Sequence, residues 1–523
     1  MKFIFTVLAI LFFYFIVERI TGRALILDAD HYRAPLLLPG IADRFGPGLL
    51  LLAGVGLIAL AVIGKPLTAW QQLDSGQLLR QFILMLAVVI AWPLTTYGYN
   101  HYLDQAHAFD RAALLLCLLG LIWRPIFVLP FLIIAYGLLG QLIEPALGGT
   151  IIAHKTQVLR VLELFAAAFI VFALSGFRNT RHFVFLACCF VAAGYWIPAV
   201  AKLQLDWLSG NRIDFVPVTA YAHGWLGHLE PRQIVEFSKQ LLVVNGPARF
   251  AVIILETAFL VFLFGRFLSY GLLLGAIVFH LCVFALFGFF FWTWIALDAA
   301  LLYLLIRYYG NAATAPWARS QLWLSVALIG FGTYWAKPPA LGWYETPLAY
   351  TYRIEAGLDN GETATLHPRF FAPYEDVFTM ASFSYLTRDH ARLVSAYGVT
   401  RDKSIKEALA QAQTAADVFA LENQRNDVAY NPLRVDKFRY FLSEFIQHRN
   451  HNGDSGSGWY TLHSPLQFWS LRNGRKILAD RKIRNLSVKE VTYFYNGETL
   501  ETIREIEVLT MAIPPPATTV TED

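Results

Sequence analysis

Phe183-Val-Phe-Leu-Ala-Cys-Cys-Phe-Val-Ala-Ala-Gly-Tyr195-Trp-Ile-Pro-Ala-Val-Ala-Lys202 carries no formal charge until its last residue. An apolar stretch of about 20 residues is what an α-helix needs to cross about 30 Å of hydrocarbon. The run therefore predicts a transmembrane helix over 182–203. Working outward, comparable runs predict further spans at 2–18, 47–64, 80–98, 111–123, 125–143, 158–176, 248–265, 267–289, 290–307 and 320–336. Only Arg124-Pro125 divides the fourth from the fifth, so the expected count is ten or eleven. The fold class expected is an α-helical polytopic membrane bundle with a C-terminal soluble α+β domain.

Composition agrees. Of 523 residues, 56% are hydrophobic and 15% charged, against roughly 25% charged in soluble domains. That excludes a water-soluble globular enzyme and a disordered chain. A net charge of +4 over this length is no phosphate-binding field, which excludes nucleic acid as a partner. Residues 1–336 hold 21 Lys/Arg and 15 Asp/Glu, and residues 337–523 hold 21 and 23. More than half of the charge thus sits in about a third of the chain. Cys117, Cys188, Cys189 and Cys282 all lie in apolar runs, which argues against a disulfide framework or a zinc site. No small-residue cleavage pattern follows Phe3 to Val17, so that run reads as a retained helix rather than a signal peptide.

Orientation follows from the short loops. Lys65 with Arg80, Arg124, Arg178 with Arg181, Arg266, and Arg307 with Arg319 fall on alternate loops, opposed by Asp74 alone. The intervening loops carry Asp104, Asp110 and Glu144. The positive-inside rule then places the N-terminus in the cytosol. With eleven spans the C-terminal domain is expected on the other side, in a periplasm or lumen, together with loops 99–110 and 204–247. The expected domains are 1–336 in the membrane, 337–513 as an extracytoplasmic α+β domain, and 514–523 as a disordered tail. Within the soluble part, 402–422 and 434–448 read as amphipathic helices, the first starting at Asp402. Strands over 486–495 and 498–508 flank Asn496-Gly497, a strong hairpin signal. Asn452 to Gly458 reads as a flexible loop, and no internal repeat is visible.

Charged residues inside spans are functional candidates by default. Here they are Glu163, Glu256, Asp298 and, near an outer helix end, Lys202; His280 is the most deeply placed imidazole. Each also has a plainer reading. Lys202 could snorkel its ammonium to the interface. The three acids could be protonated or hydrogen-bonded within the bundle. His101 could be an ordinary interfacial histidine, and His280 a core histidine satisfied by a neighbouring helix.

The segment Tyr195-Trp-Ile-Pro-Ala-Val-Ala-Lys202-Leu-Gln-Leu-Asp206-Trp207-Leu-Ser-Gly210 resembles a motif of the vitamin K-dependent γ-carboxylase family, whose membrane part is the HTTM (horizontally transferred transmembrane) domain. Asn100-His101-Tyr102-Leu103 resembles its Asn-His-x-Tyr-Leu segment, one residue shorter. Leu255-Glu256 through Phe264 is similar to its acidic eighth-helix region, with Glu in place of Asp. Phe279-His280 followed by Leu286-Phe287-Gly288 resembles its Phe-His and Leu-Phe-x-x-Gly run. The four stand in family order over roughly 80–300.

The resemblance implies an integral-membrane enzyme, a γ-carboxylase-like lyase or quinol epoxidase. In that family a lysine at the position of Lys202 deprotonates a vitamin K hydroquinone, assisted by a histidine at the position of His101. The reduced quinone then reacts with oxygen, and the strong base so formed removes a γ-proton from a substrate glutamate, which captures carbon dioxide. Lys202 and His101 are thus the candidate catalytic residues. His280, Glu256 and Trp207 are candidates for binding a reduced, vitamin K hydroquinone-like quinone, and no metal is expected. An amine can act as a base only where its charged form is destabilised; burial against Trp196, Ile197 and Trp207 would do that, and Asp206, four residues on along the same helix face, would oppose it. The chain departs from the family in its smaller, cysteine-free outer part and in Ala201, where the family has a second lysine. Partners implied are membrane lipid or quinone and a protein or peptide substrate on the outer face. The competing reading is non-catalytic: a bundle binding a lipid or partner, with an outer recognition domain. A transporter fits less well, for want of paired broken helices in matching halves.

Overall fold

The computed structural model describes residues 2–46, 69–97, 101–148, 151–176, 178–310, 317–453, 465–471 and 481–514. The expected span at 47–64, Asn100, the glycine-rich stretch after Gly453 and all but the start of the expected disordered tail lie outside them. The chain is mostly helical, with a sheet confined to its C-terminal part. In the bundle, α1 is Lys2–Leu25, α2 Gly76–Thr96, α3 Ala108–Trp123, α4 Val128–Gly140, α5 Ile151–Ser175 and α6 Arg181–Gln204. They are followed by α7 at Pro231–Ala258, continued by a 3-10 turn Phe259–Phe264, then α8 at Arg266–Phe287, α9 at Trp292–Gly310 and α10 at Arg319–Gly330. Among the described residues six helices are long and apolar enough to cross a membrane: α1, α2, the Gln157–Ser175 part of α5, α6, α7 with its extension, and α8. Their outward faces carry large apolar side chains such as Phe5, Phe12, Ile254, Phe267 and Leu274. Apolar surface on that scale suits hydrocarbon rather than water. By length and composition these six helices are compatible with a membrane protein.

Arg124 is extended, so α3 and the Pro125–Phe127 turn leading into α4 are separate helices, as the runs at 111–123 and 125–143 predict. One expectation is corrected here. The eighth helix begins at Pro231, not at 248. Glu230 and Gln233 form a capping box and Pro231 stands at the first turn, so a strong local start signal sits inside what reads as a polar loop. The rest of 204–247 also folds, with a short helix at Val216–Ala222.

Helix α6 is deeply packed, and most of its residues are buried. Small residues let neighbours approach it. At Gly194 an added Cβ would meet the Trp294 ring at 2.7 Å, so only glycine leaves room for that indole. Gly288 ends α8 with φ +76°, a left-handed cap that turns the chain within four residues into α9, as the tight turn at Phe289-Phe290 leads one to expect.

The C-terminal part is a four-stranded antiparallel sheet in the order β3-β2-β5-β6, with β2 Leu348–Leu358, β3 Thr363–Thr365, β5 Ile483–Tyr495 and β6 Leu500–Ala512. A two-stranded ribbon pairs β1, Tyr344–Glu345, with β4, Val399–Thr400. The hairpin forms at Asn496-Gly497, where Gly497 has φ +98° and Asn496 Oδ1 accepts from the Glu498 and Thr499 amides at 2.9 and 2.8 Å. The expected helix over 402–422 is two helices, α11 Lys403–Gln411 and α12 Ala415–Asn423. Asp402 caps the first and Thr414 the second, and Asp417 reaches back to the Gln413 and Thr414 amides. This second capping box breaks what alanine periodicity alone would continue. The last helix, α13 at Pro432–Asn452, buries Val435, Phe438, Phe441, Leu442, Phe445 and Ile446.

This domain closes one end of the bundle. Tyr102 packs on Phe441 with ring centroids 4.9 Å apart, and Asp104 lies 3.1 Å from His448. The Thr219 hydroxyl donates to Tyr397 O at 3.1 Å, and the Phe290 amide donates to Gln467 O at 2.7 Å. Loop 101–107, residues 205–226 and the α8–α9 turn therefore share one end with the domain. On this seam the Glu345 amide donates to Asn211 Oδ1 at 2.7 Å, while its buried carboxylate accepts from Trp343 Nε1 at 2.9 Å. Burial pushes the Glu345 carboxyl up to about 8, against a weaker opposite pull from the indole N–H. A carboxyl raised in the folded state contributes stability below its ordinary value, 4.5, that is lost as pH rises toward about 8. Glu345→Gln should remove this decline, read as the thermal midpoint of the purified protein between pH 5 and pH 8. An unaltered decline in the variant would assign it elsewhere.

Candidate functional site

Lys202 lies in the last turn of α6, and its ammonium donates a hydrogen bond to Glu256 Oε1 of α7. Both side chains are largely buried. Trp207 stands beside them, its ring centroid 5.8 Å from Lys202 Nζ. The structure thus brings three of the expected site residues together. Asp206 is not part of the group. The helix ends at Gln204, and Asp206 takes a left-handed conformation (φ +56°) that turns it out to solvent, 3.7 Å from Lys403. The expected Lys202–Asp206 helix-face pair is replaced by a long-range pair with Glu256. Arg249, two turns back along α7 from Glu256, holds the turn in place by donating to Asn211 O at 3.0 Å. The hydroxyl of Tyr344 donates to Leu205 O, so the C-terminal domain latches the end of the helix that carries Lys202.

Two turns deeper on α6 is Tyr195, seven residues before Lys202 and so on nearly the same face, about 10 Å away along the axis. Its hydroxyl lies 3.0 Å from His280 Nε2 of α8 and 2.5 Å from Asp298 Oδ2 of α9. Its ring stacks on Phe259 at 4.1 Å and meets Trp294 edge-on at 5.7 Å. Phe291 lies 5.4 Å from the His280 ring. Polar groups from three helices therefore converge within an aromatic wall. Asp298, Glu256 and Glu163 are all buried, as intramembrane acids were expected to be. Glu163 belongs to a different cluster, accepting from the Thr21 hydroxyl of α1 at 2.5 Å.

His101 is placed elsewhere. Its ring lies 5.1 Å from Phe445 and 5.2 Å from His448, both on α13 of the C-terminal domain. The structure sets it in the docking seam, while Lys202 is held by Glu256 and Trp207. Three residues of the site lie beyond the sequence-based candidates. Tyr195 stands seven residues before Lys202, a spacing that marks a shared helix face. Arg249 is a charged residue inside the expected eighth span. Asn211 had no local signal. Among the described residues no group of three or more His, Cys, Asp or Glu side chains could hold a metal ion. No protein-family model, no curated protein and no solved structure matches this chain.

Proposed function

We propose that this chain is an integral-membrane enzyme that binds a reduced quinone in the α6–α9 site, with Lys202 as the proton acceptor. The observation that carries the reading is the buried Lys202–Glu256 pair two turns along α6 from Tyr195 and His280, beside Trp207, Trp294 and Phe259. Amine, phenol and imidazole suit the two oxygens of a quinol, and flat aromatic walls suit its ring. When bound, such a group supplies reducing power toward oxygen, and thereby a strong base for carboxylation or proton abstraction on a protein or small substrate. The hydrogen bond to Glu256 holds the Lys202 nitrogen in place beside Trp207, where it would receive the proton of a quinol hydroxyl. Tyr195 and His280 would orient the far oxygen, and the outer domain would exclude water and present substrate.

The placement of His101 on α13 favours the second reading, in which the bundle binds a lipid or partner without chemistry. Mass spectrometry of small molecules co-purifying with the full chain separates the two. The enzyme reading expects a quinone with the wild-type protein, and its loss from Trp207→Ala and His280→Ala. Phospholipid alone in all three preparations would favour the second reading.

A further inference from the structure

We propose that Asp298, Tyr195 and His280 form a proton store inside the bundle, in which a proton held on Asp298 is passed to His280 through the Tyr195 hydroxyl. Tyr195 stands between the other two, 2.5 Å from Asp298 Oδ2 and 3.0 Å from His280 Nε2. A phenol has one proton to give and can also accept. Two arrangements with the same number of protons therefore satisfy both bonds and differ in which end of the group is protonated. In the first, Asp298 is a carboxylic acid donating to the Tyr195 oxygen, and Tyr195 donates to Nε2 of a neutral imidazole. In the second, a doubly protonated His280 donates to Tyr195, which donates to an Asp298 carboxylate.

The passage between them balances without a co-reactant. The Asp298 O–H bond breaks as a new O–H bond forms on Tyr195, while the original Tyr195 O–H bond breaks as an N–H bond forms at Nε2. One proton has moved from α9 to α8, and Tyr195 is again a phenol. The surroundings select the first arrangement at rest. Asp298 Oδ1 is buried without a hydrogen-bond partner, and the chain is enclosed by Phe259, Phe291 and Trp294. A carboxylate there would have one donor for its charge, whereas a carboxylic acid leaves no charge to satisfy. A merely structural tyrosine would need one partner; this one has an acid on one side and a base on the other.

Serving quinol chemistry at Lys202 rests on the function proposed above; the store itself does not. Infrared spectroscopy of the full chain in lipid nanodiscs reads the C=O stretch of a protonated carboxyl and its shift on transfer to D2O. The wild-type protein should show a buried-acid band that is lost in Asp298→Asn. Tyr195→Phe should move the band to higher frequency, because the acceptor of the carboxyl proton is gone. Tyr195→Phe and His280→Gln should each slow its deuterium exchange by roughly 10²-fold or more. A band that survives Asp298→Asn overturns the proposal. So does a Tyr195→Phe band unaltered in frequency and exchange rate, which decides the matter even if Asp298→Asn fails to fold. Wild-type protein with the expected band and no quinol turnover would overturn the enzyme reading and leave the store standing.

Discussion

Lys202→Arg is expected to fold like the wild-type protein and to lose quinol turnover by a factor of about 10²–10⁴, the usual contribution of a positioned proton-transfer group. A guanidinium can keep the pair with Glu256 and the contact with Trp207, but it does not give up its proton inside a protein. Lys202→Ala should fail in a different way. It leaves Glu256 buried among apolar side chains without its cation, and breaking one side of a buried pair costs about 3–5 kcal/mol. The thermal midpoint should therefore fall sharply for Lys202→Ala. It should recover when Glu256→Gln is added, because the double variant buries no unpaired charge. Turnover should stay absent in the double variant, and small exogenous amines should restore part of it in Lys202→Ala. If Lys202→Arg retains full turnover, the lysine is an anchor for Glu256 and not a base. If the double variant is no more stable than Lys202→Ala, the two side chains are not energetically coupled.

The second large effect is expected in the C-terminal sheet, at Glu490 in the middle of β5. Its carboxylate is fully buried, accepts from the Tyr352 hydroxyl at 2.9 Å and from the Thr387 hydroxyl, and lies 2.9 Å from His390 Nε2. Arg392 completes the cluster, donating to the Tyr352 hydroxyl at 3.0 Å with its guanidinium over the Tyr350 ring at 4.3 Å. Burial works to raise the carboxyl, but the bonds from His390 and Thr387 and the charge of Arg392 overcome it and hold it down at about 2. Glu490→Leu should cost about 3–5 kcal/mol, since it leaves the Arg392 charge buried without its anion. The sign of the pH effect is set by the depressed value. The contribution is fully present above 4.5 and is lost as pH falls toward about 2. Acid unfolding of the C-terminal domain, followed by tryptophan fluorescence, should shift to a flatter profile in Glu490→Gln. An unchanged acid limb would place the sensitivity on other carboxylates. Glu345 acts in the opposite sense, so the domain should be most stable between the two windows.

What the sequence determined by itself was local. Apolar runs became helices because a chain in hydrocarbon must satisfy its backbone hydrogen bonds within each segment. Asp402 capped a helix and Asn496-Gly497 turned a hairpin for the same reason: the deciding atoms lie within four residues of one another. The helix boundaries that hydropathy misplaces are set by local signals as well. Glu230-Pro231 and Thr414 are capping residues that a hydrophobic window cannot register, so α7 appeared too short and α11–α12 too long. The burial of Glu163, Glu256 and Asp298 also followed from sequence, because a carboxylate facing lipid costs several kcal/mol.

Which partner each buried group found was decided only in three dimensions. Lys202 could have met Asp206 on one helix face; a left-handed residue ended the helix first, and Glu256, 54 positions away, took the lysine instead. Tyr195 joins residues 85 and 103 positions distant, and His101 was drawn to α13 by a domain that begins more than two hundred residues later. No periodicity encodes such meetings. They depend on which helices pack side by side and at what height, and Gly194 against Trp294 sets that height for α6 and α9. Hydropathy records that a group leaves water, whereas the choice of its hydrogen-bond partner belongs to the packing.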